Sequence, residues 1–185
     1  MKKTLVIVDV QRDFYHPEGL LHVAGSETLP ELIAPVIEEY DSVVLTLDWH
    51  PGNHCSFKEQ GGLWPSHCVA YTQGAGLPDI FSKPLAHEGV YYFLKGRAAG
   101  EEQYGAFVGL TPEDDIYKVF EESGRIEVCG IAGDYCVKET IANMIALGFK
   151  DKIVALTDLI AYFDGGVTFR AFIQETGIRA KRKFR

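Results

Sequence analysis

The sequence contains no apolar run approaching the roughly 20 residues that cross a bilayer, so no membrane span is expected. Basic residues are in the minority, with 18 Lys and Arg against 26 Asp and Glu and a net charge of −8. Phosphate backbones are bound by clustered cations, and no nucleic-acid partner is expected from this balance. The one basic cluster, Arg179, Lys181, Arg182, Lys183 and Arg185, reads as a solvated tail rather than an interaction patch. Met1-Lys2-Lys3 runs straight into Thr4–Val8, and Asp9 interrupts that run too early for a signal peptide. The expected compartment is therefore the cytoplasm. The four cysteines, Cys55, Cys68, Cys129 and Cys136, are expected to be reduced there, as separate thiols rather than a disulfide framework. Repeats, low-complexity tracts and linkers are also missing. At 46% hydrophobic and 24% charged over 185 residues, the chain is long enough to bury a core and is expected to form one domain over 1–185.

Short β-branched runs alternate with helical periodicity. Strands are predicted over 5–10, 42–47, 90–94, 125–131 and 152–156, with a short last strand near Ile178. Leu29, Leu32, Ile33, Val36, Ile37 and Tyr40 recur at helical spacing, with Thr28 as the expected cap and Pro35 implying a kink or late start. Thr111-Pro112-Glu113-Asp114 is predicted to open a helix. Further helices are predicted over 135–147, stopping at Gly148, and over 167–174. Residues 52–89 show no periodicity and are rich in Gly, Pro, His and aromatics, the profile of a long functional loop. The fold class is α/β, a parallel sheet of about six strands with helices on both faces and right-handed crossovers.

Ligands of open parallel sheets bind at the carboxyl ends of the strands. Asp9, Asp48, Lys95 and the turn from Gly130 to Cys136 each follow a predicted strand, so four chemically capable groups should converge. Cys136 is placed where a helix N-terminus would favour the thiolate and offer N–H groups to an oxyanion; a buried inert thiol is the alternative. Cys129, inside a strand, is expected in the core. Asp9 and Lys95 are each costly at the end of an apolar strand unless partnered. With Cys136 they could activate the thiol, or they could simply form an ion pair tying two strands. Asp48, His50, His54 and His67 include three of the six histidines within eighteen residues, a donor set suited to one Zn, Fe or Mn ion. Cys55 and Cys68 adjoin this segment and are expected to be bystanders. Phe14 and Trp64 lie near the two clusters and could sandwich a flat ring or be ordinary core.

Five segments occur in order: Val8-Asp9-Val10-Gln11-Arg12-Asp13-Phe14, Asp48-Trp49-His50-Pro51-Gly52-Asn53-His54-Cys55-Ser56-Phe57, Trp64-Pro65-Ser66-His67-Cys68-Val69, Lys95-Gly96, and Gly130-Ile131-Ala132-Gly133-Asp134-Tyr135-Cys136-Val137. Together they resemble the nicotinamidase/pyrazinamidase branch of the isochorismatase-like hydrolases, over residues 4 to about 176. The resemblance implies a Rossmann-like sheet without a nucleotide cofactor, and hydrolysis of nicotinamide to nicotinic acid and ammonia, with pyrazinamide left open. It implies Cys136 as nucleophile, Asp9 as general base and Lys95 as stabilising cation. A metal, zinc first among the candidates, would be held by Asp48, His50 and His67, with His54 as a further ligand. The ring would lie between Phe14 and Trp64. A cis peptide between Ile131 and Ala132 would aim the N–H groups of Ala132 and Cys136 at the oxyanion. The chain departs from the family pattern at Gly133, where Thr is common, and between Lys95 and Phe107, where Tyr104, Ala106 and Phe107 fit. Another amidase or carbamoyl hydrolase of the same superfamily, or a non-catalytic metal-binding protein, would also fit the residues. The sequence leaves the oligomeric state, a homo-oligomer included, undecided.

Overall fold

The structure, a computed structural model, describes residues 1–184; Arg185 of the basic tail lies outside the described residues. The elements are β1 (Lys3–Val8), α1 (Arg12–Tyr15), α2 (Leu29–Ile37), β2 (Ser42–Asp48), β3 (Val90–Lys95), α3 (Asp115–Glu122), β4 (Arg125–Gly130), α4 (Lys138–Ala146), β5 (Ile153–Ile160), α5 (Val167–Thr176) and β6 (Arg179–Lys181). The six strands form one parallel sheet in the order β3-β2-β1-β4-β5-β6. Among the described residues no helix is long and apolar enough to cross a membrane.

Alternation along β1 divides the core in two. Leu5 and Ile7 join a cluster with Ile33 and Ile37 of α2, whereas Val6 and Val8 join Phe120 of α3, Met144 of α4 and Phe169 of α5. Both sheet faces are therefore covered, which is why apolar residues dominate β1 and β2 on both faces. The chain winds outward from β1 through β2 to β3, then returns to β4 on the other side and winds out to β6. The reversal opens a crevice at the carboxyl ends of β1 and β4, where open α/β sheets bind ligands.

Several local expectations are corrected. Thr28 makes no side-chain cap bond, and α2 starts at Leu29, carries Pro35 inside and stops at Ile37, before Tyr40. The segment Thr111–Asp114 closes a turn instead of opening a helix: Asp114 Oδ2 accepts from the Thr111 N–H (2.8 Å) and hydroxyl (2.9 Å). Helix α3 consequently begins at Asp115. Residues 133–137 form a wider π-type turn, and the α-helix proper begins at Lys138. Strand β5 continues to Ile160 rather than ending at residue 156. Its pairing with β4 shifts register between Val128 and Gly130, and such an irregularity admits the polar Thr157-Asp158 pair that reads as a strand end.

Candidate active site

Asp9 follows β1 with φ 48°, a left-handed conformation that Asp tolerates better than most residues. Its carboxylate is fully buried, and Oδ1 accepts from the Thr46 hydroxyl at 2.6 Å. Lys95, at the last position of β3, is equally buried. Its ammonium lies 2.8 Å from Asp9 Oδ2, 3.5 Å from Cys136 Sγ, and in short contact with Asp48 Oδ1. Cys136 occupies the fourth position of the Gly133–Val137 turn. One lysine thus touches the other three groups.

The electrostatics follow from burial. Burial raises the Asp9 carboxyl above its ordinary value, and Lys95 opposes this without cancelling it. Burial disfavours the Lys95 ammonium too, but Asp48 and Asp9 outweigh it and hold the charge firmly. The Cys136 thiol stands well above its ordinary value, first through burial and then through Asp9 and Asp48, against Lys95. Burial thus works against the thiolate that the helix terminus and Lys95 favour. A buried thiol needs a proton acceptor beside it, and a carboxylate with a raised pKa is suited to that role. Asp9 supplies one: its oxygen lies within 4.8 Å of Sγ.

The second group is Asp48, His50 and His67, whose ligand atoms all lie within 4.8 Å of one another in a buried setting. Both histidines have Nδ1 against a backbone carbonyl, His50 on Gly96 O (2.9 Å) and His67 on Pro65 O (2.8 Å). That leaves each Nε2 facing Asp48 Oδ2, at 3.6 and 4.0 Å. Fixing Nδ1 in this way selects the Nε2 donor that metal-binding histidines use. Burial opposes the Asp48 charge, but Lys95 and then His50 outweigh it and hold the carboxyl below its ordinary range. His67 is lowered by burial. An anionic oxygen with two imidazole nitrogens fits a divalent ion with further coordination positions open. Gly96 is required here: its φ is +64°, and a Cβ would come 2.3 Å from His50 Cε1.

The structure does not bring His54 into this group. Its Nδ1 meets the Ser56 hydroxyl (2.7 Å) and its Nε2 the Glu101 carbonyl (3.1 Å). Its ring lies beside His50, centroids 4.1 Å apart, but both nitrogens are engaged elsewhere. Cys68 and Cys129 are buried and Cys55 is half-buried; none of the three joins the ligand group.

Cys136 and the Asp48–His50–His67 group open into one narrow cleft of about 400 Å³ including its mouth, lined also by Phe14, Trp64, Tyr104 and Ala132. The indole N–H of Trp64 donates to Tyr104 Oη at 3.0 Å. The Ile131–Ala132 peptide is cis, and the Ala132 carbonyl accepts from the Tyr135 and Val137 N–H groups (3.1 and 3.0 Å). At Gly133 a Cβ would come 2.2 Å from the Tyr162 ring, so Tyr162 fills the space that Thr would take.

Several participants escaped sequence reasoning. Gln11 clamps Asp48: its Nε2 donates to Asp48 O (2.8 Å) and Ala75 O (3.0 Å), and its Oε1 accepts the Asp48 N–H (2.8 Å). Asp13 holds the Cys68 N–H at 2.7 Å, next to His67. Their available signal was the polar run just after β1. Tyr135 and Phe163 also line the cleft. Tyr135 adjoins the nucleophile motif, whereas Phe163 carried no local signal beyond following β5.

No family model matches the chain. A nicotinamidase/pyrazinamidase of Mycobacterium tuberculosis is 33% identical over 179 residues, covering 91% of each chain. The structure of PnC1 from L. infantum in complex with nicotinate superposes with a TM-score of 0.84 at 31% identity, over 98% of this chain and 92% of that one. A pyrazinamidase of Pyrococcus horikoshii in complex with zinc gives a TM-score of 0.79 at 30% identity, over 98% and 99%. With relatives at this identity across nearly the whole chain, the protein belongs to the nicotinamidase/pyrazinamidase branch of the isochorismatase-like hydrolases, and the enzymes of that branch are amidohydrolases.

Proposed function

We propose that this member of the family hydrolyses nicotinamide to nicotinic acid and ammonia through a thioester on Cys136. The observation that carries the reading is that Cys136 and the Asp48–His50–His67 group line the same cleft, together with Phe14 and Trp64. A flat ring bearing a carboxamide can then be anchored at one end while the carboxamide faces the thiol. When bound by Asp48, His50 and His67, a divalent ion, zinc by its donor set, would supply a Lewis-acid anchor for a ring nitrogen.

Asp9 takes the Cys136 proton as sulfur attacks the amide carbon. Lys95 stays charged and offsets the negative charge of the sulfur and carboxylate. The backbone N–H groups of Ala132 and Cys136 receive the tetrahedral oxygen, and one well-placed donor of this kind contributes about 3–4 kcal/mol. Asp9 then returns its proton to the amide nitrogen, the C–N bond breaks and ammonia leaves. Asp9 next accepts a proton from water, which attacks the thioester carbon; the C–S bond breaks, nicotinic acid is released and Cys136 regains its proton. Alignment of ring and thiol in advance lowers the entropic cost of the first attack.

A substrate panel tests the assignment. Zinc-loaded protein is expected to release ammonia and nicotinic acid in equal amounts from nicotinamide, and to leave aliphatic carboxamides and carbamoyl compounds intact. Turnover of an aliphatic amide without turnover of nicotinamide would overturn it.

A further inference from the structure

Phe163 is a large apolar side chain left 42% exposed, yet it lines the same cleft as Cys136. It belongs to the loop between β5 and α5, far in sequence from every segment that carries the family resemblance. Its ring stacks on Trp64, with centroids 5.7 Å apart and planes at 26°, and meets Tyr135 edge-on at 5.9 Å. Exposed aromatic surface inside a cleft is surface that a bound flat ligand would cover.

The loop is anchored at both ends. Asp134 is buried, and its carboxylate accepts the N–H of Phe163 (3.2 and 3.1 Å) and of Asp164 (3.0 Å). The Gly133 N–H donates to Ala161 O at 2.8 Å. On the far side the Asp164 carboxylate accepts the N–H groups of Gly166, Val167 and Thr168 (2.8, 3.1 and 2.9 Å), closing the start of α5. Asp134 lies two residues before Cys136, in the same turn. A single buried carboxylate therefore sets the position of an aromatic wall relative to the nucleophile.

We propose that Phe163 is a specificity-determining residue, an aromatic wall additional to Phe14 and Trp64 that limits the width of the ring admitted to the cleft, and that Asp134 is its positioning residue. The inference rests on the ring-amide reading above and adds to it the feature that selects among ring amides. Removing the Phe163 ring takes away a stacked contact and widens the slot, without touching the thiol, Asp9 or Lys95.

The test is a selectivity ratio. The parent, Phe163→Ala, Phe163→Tyr and Asp134→Asn are assayed in metal-loaded form on nicotinamide and on the wider bicyclic quinoline-3-carboxamide. For Phe163→Ala, KM for nicotinamide is expected to rise about three- to tenfold with kcat within about twofold, the loss of one aromatic contact. The kcat/KM ratio of the bicyclic amide to nicotinamide should rise at least about fivefold. Phe163→Tyr should keep the parent ratio. Asp134→Asn should shift the ratio in the direction of Phe163→Ala, a change that general loss of stability would not produce. A parent that turns over nicotinamide alongside a Phe163→Ala variant with unchanged KM and unchanged ratio overturns this proposal alone. A parent that does not turn over nicotinamide removes the ring-amide reading and this proposal together.

Discussion

Asp48 and Lys95 are register partners on β2 and β3, and their side chains form a buried ion pair at the carboxyl ends of those strands. The pairing ties the two halves of the site. The other oxygen of Asp48 faces the histidines, while the Lys95 ammonium also reaches Asp9 and Cys136. Removing one member of such a pair leaves an uncompensated buried charge, a cost of about 3–5 kcal/mol. Lys95→Met is therefore expected to reduce both turnover and metal retention, whereas Cys136→Ala should lose turnover only. Ammonia release and metal content after dialysis, measured on both variants, separate the two patterns; Lys95→Met protein that retains full metal and activity would contradict the coupling.

The Gly96 carbonyl fixes the His50 tautomer, and a Cβ at Gly96 would collide with the His50 ring. Gly96→Ala should displace that ring and lower metal affinity by about 10- to 100-fold, as loss of outer-shell support does at other metal sites. Titration of metal-free protein with zinc measures it. An unchanged affinity would mean that His50 is not a ligand.

His54 gives the opposite expectation. Its nitrogens hold Ser56 and Glu101, next to the cleft-lining residues Glu102, Gln103 and Tyr104. His54→Asn should keep a full complement of metal while raising KM. Metal content below that of the parent would instead place His54 among the ligands.

Acid stability should report on a second ionic cluster, the buried Glu127 with Tyr40 and the half-exposed Lys181. Burial pushes the Glu127 carboxyl up, but Lys181 and the Tyr40 hydroxyl outweigh it and hold it below its ordinary value. A carboxyl depressed in the folded state contributes stability above its unfolded pKa, about 4.3, and loses that contribution as pH falls through the folded value. Glu127→Gln should therefore lower Tm by about 2–6 °C at pH 7, and by progressively less below about pH 4. A deficit that is constant with pH would show that the charge of Glu127 is not what stabilises the fold.

What the sequence made legible was whatever depends on position along a strand. The apolar runs of β1, β2 and β4 gave the parallel sheet, and the polar residue ending each run gave Asp9, Asp48 and the Cys136 turn. The geometry then depends on contacts between distant segments, which periodicity does not encode. His54 falls in the same histidine-rich segment as His50 and His67, yet its nitrogens meet Ser56 and Glu101 and it does not join the Asp48 group. Thr28 and Thr111 carry capping residues' chemistry, but Thr28 makes no cap bond and Thr111 donates to the Asp114 carboxylate before the helix begins. Phe163 depends on Asp134, a residue 29 positions earlier, and no local pattern marks such a pairing.

Ammonia release from nicotinamide by metal-replete protein, with Cys136→Ala alongside, decides whether this thiol carries amide hydrolysis. Steady release by the parent and a loss of at least about 10³-fold in the variant, with its metal content intact, is the expected result. Release by Cys136→Ala at the parent's rate, or none from the metal-replete parent, would contradict it.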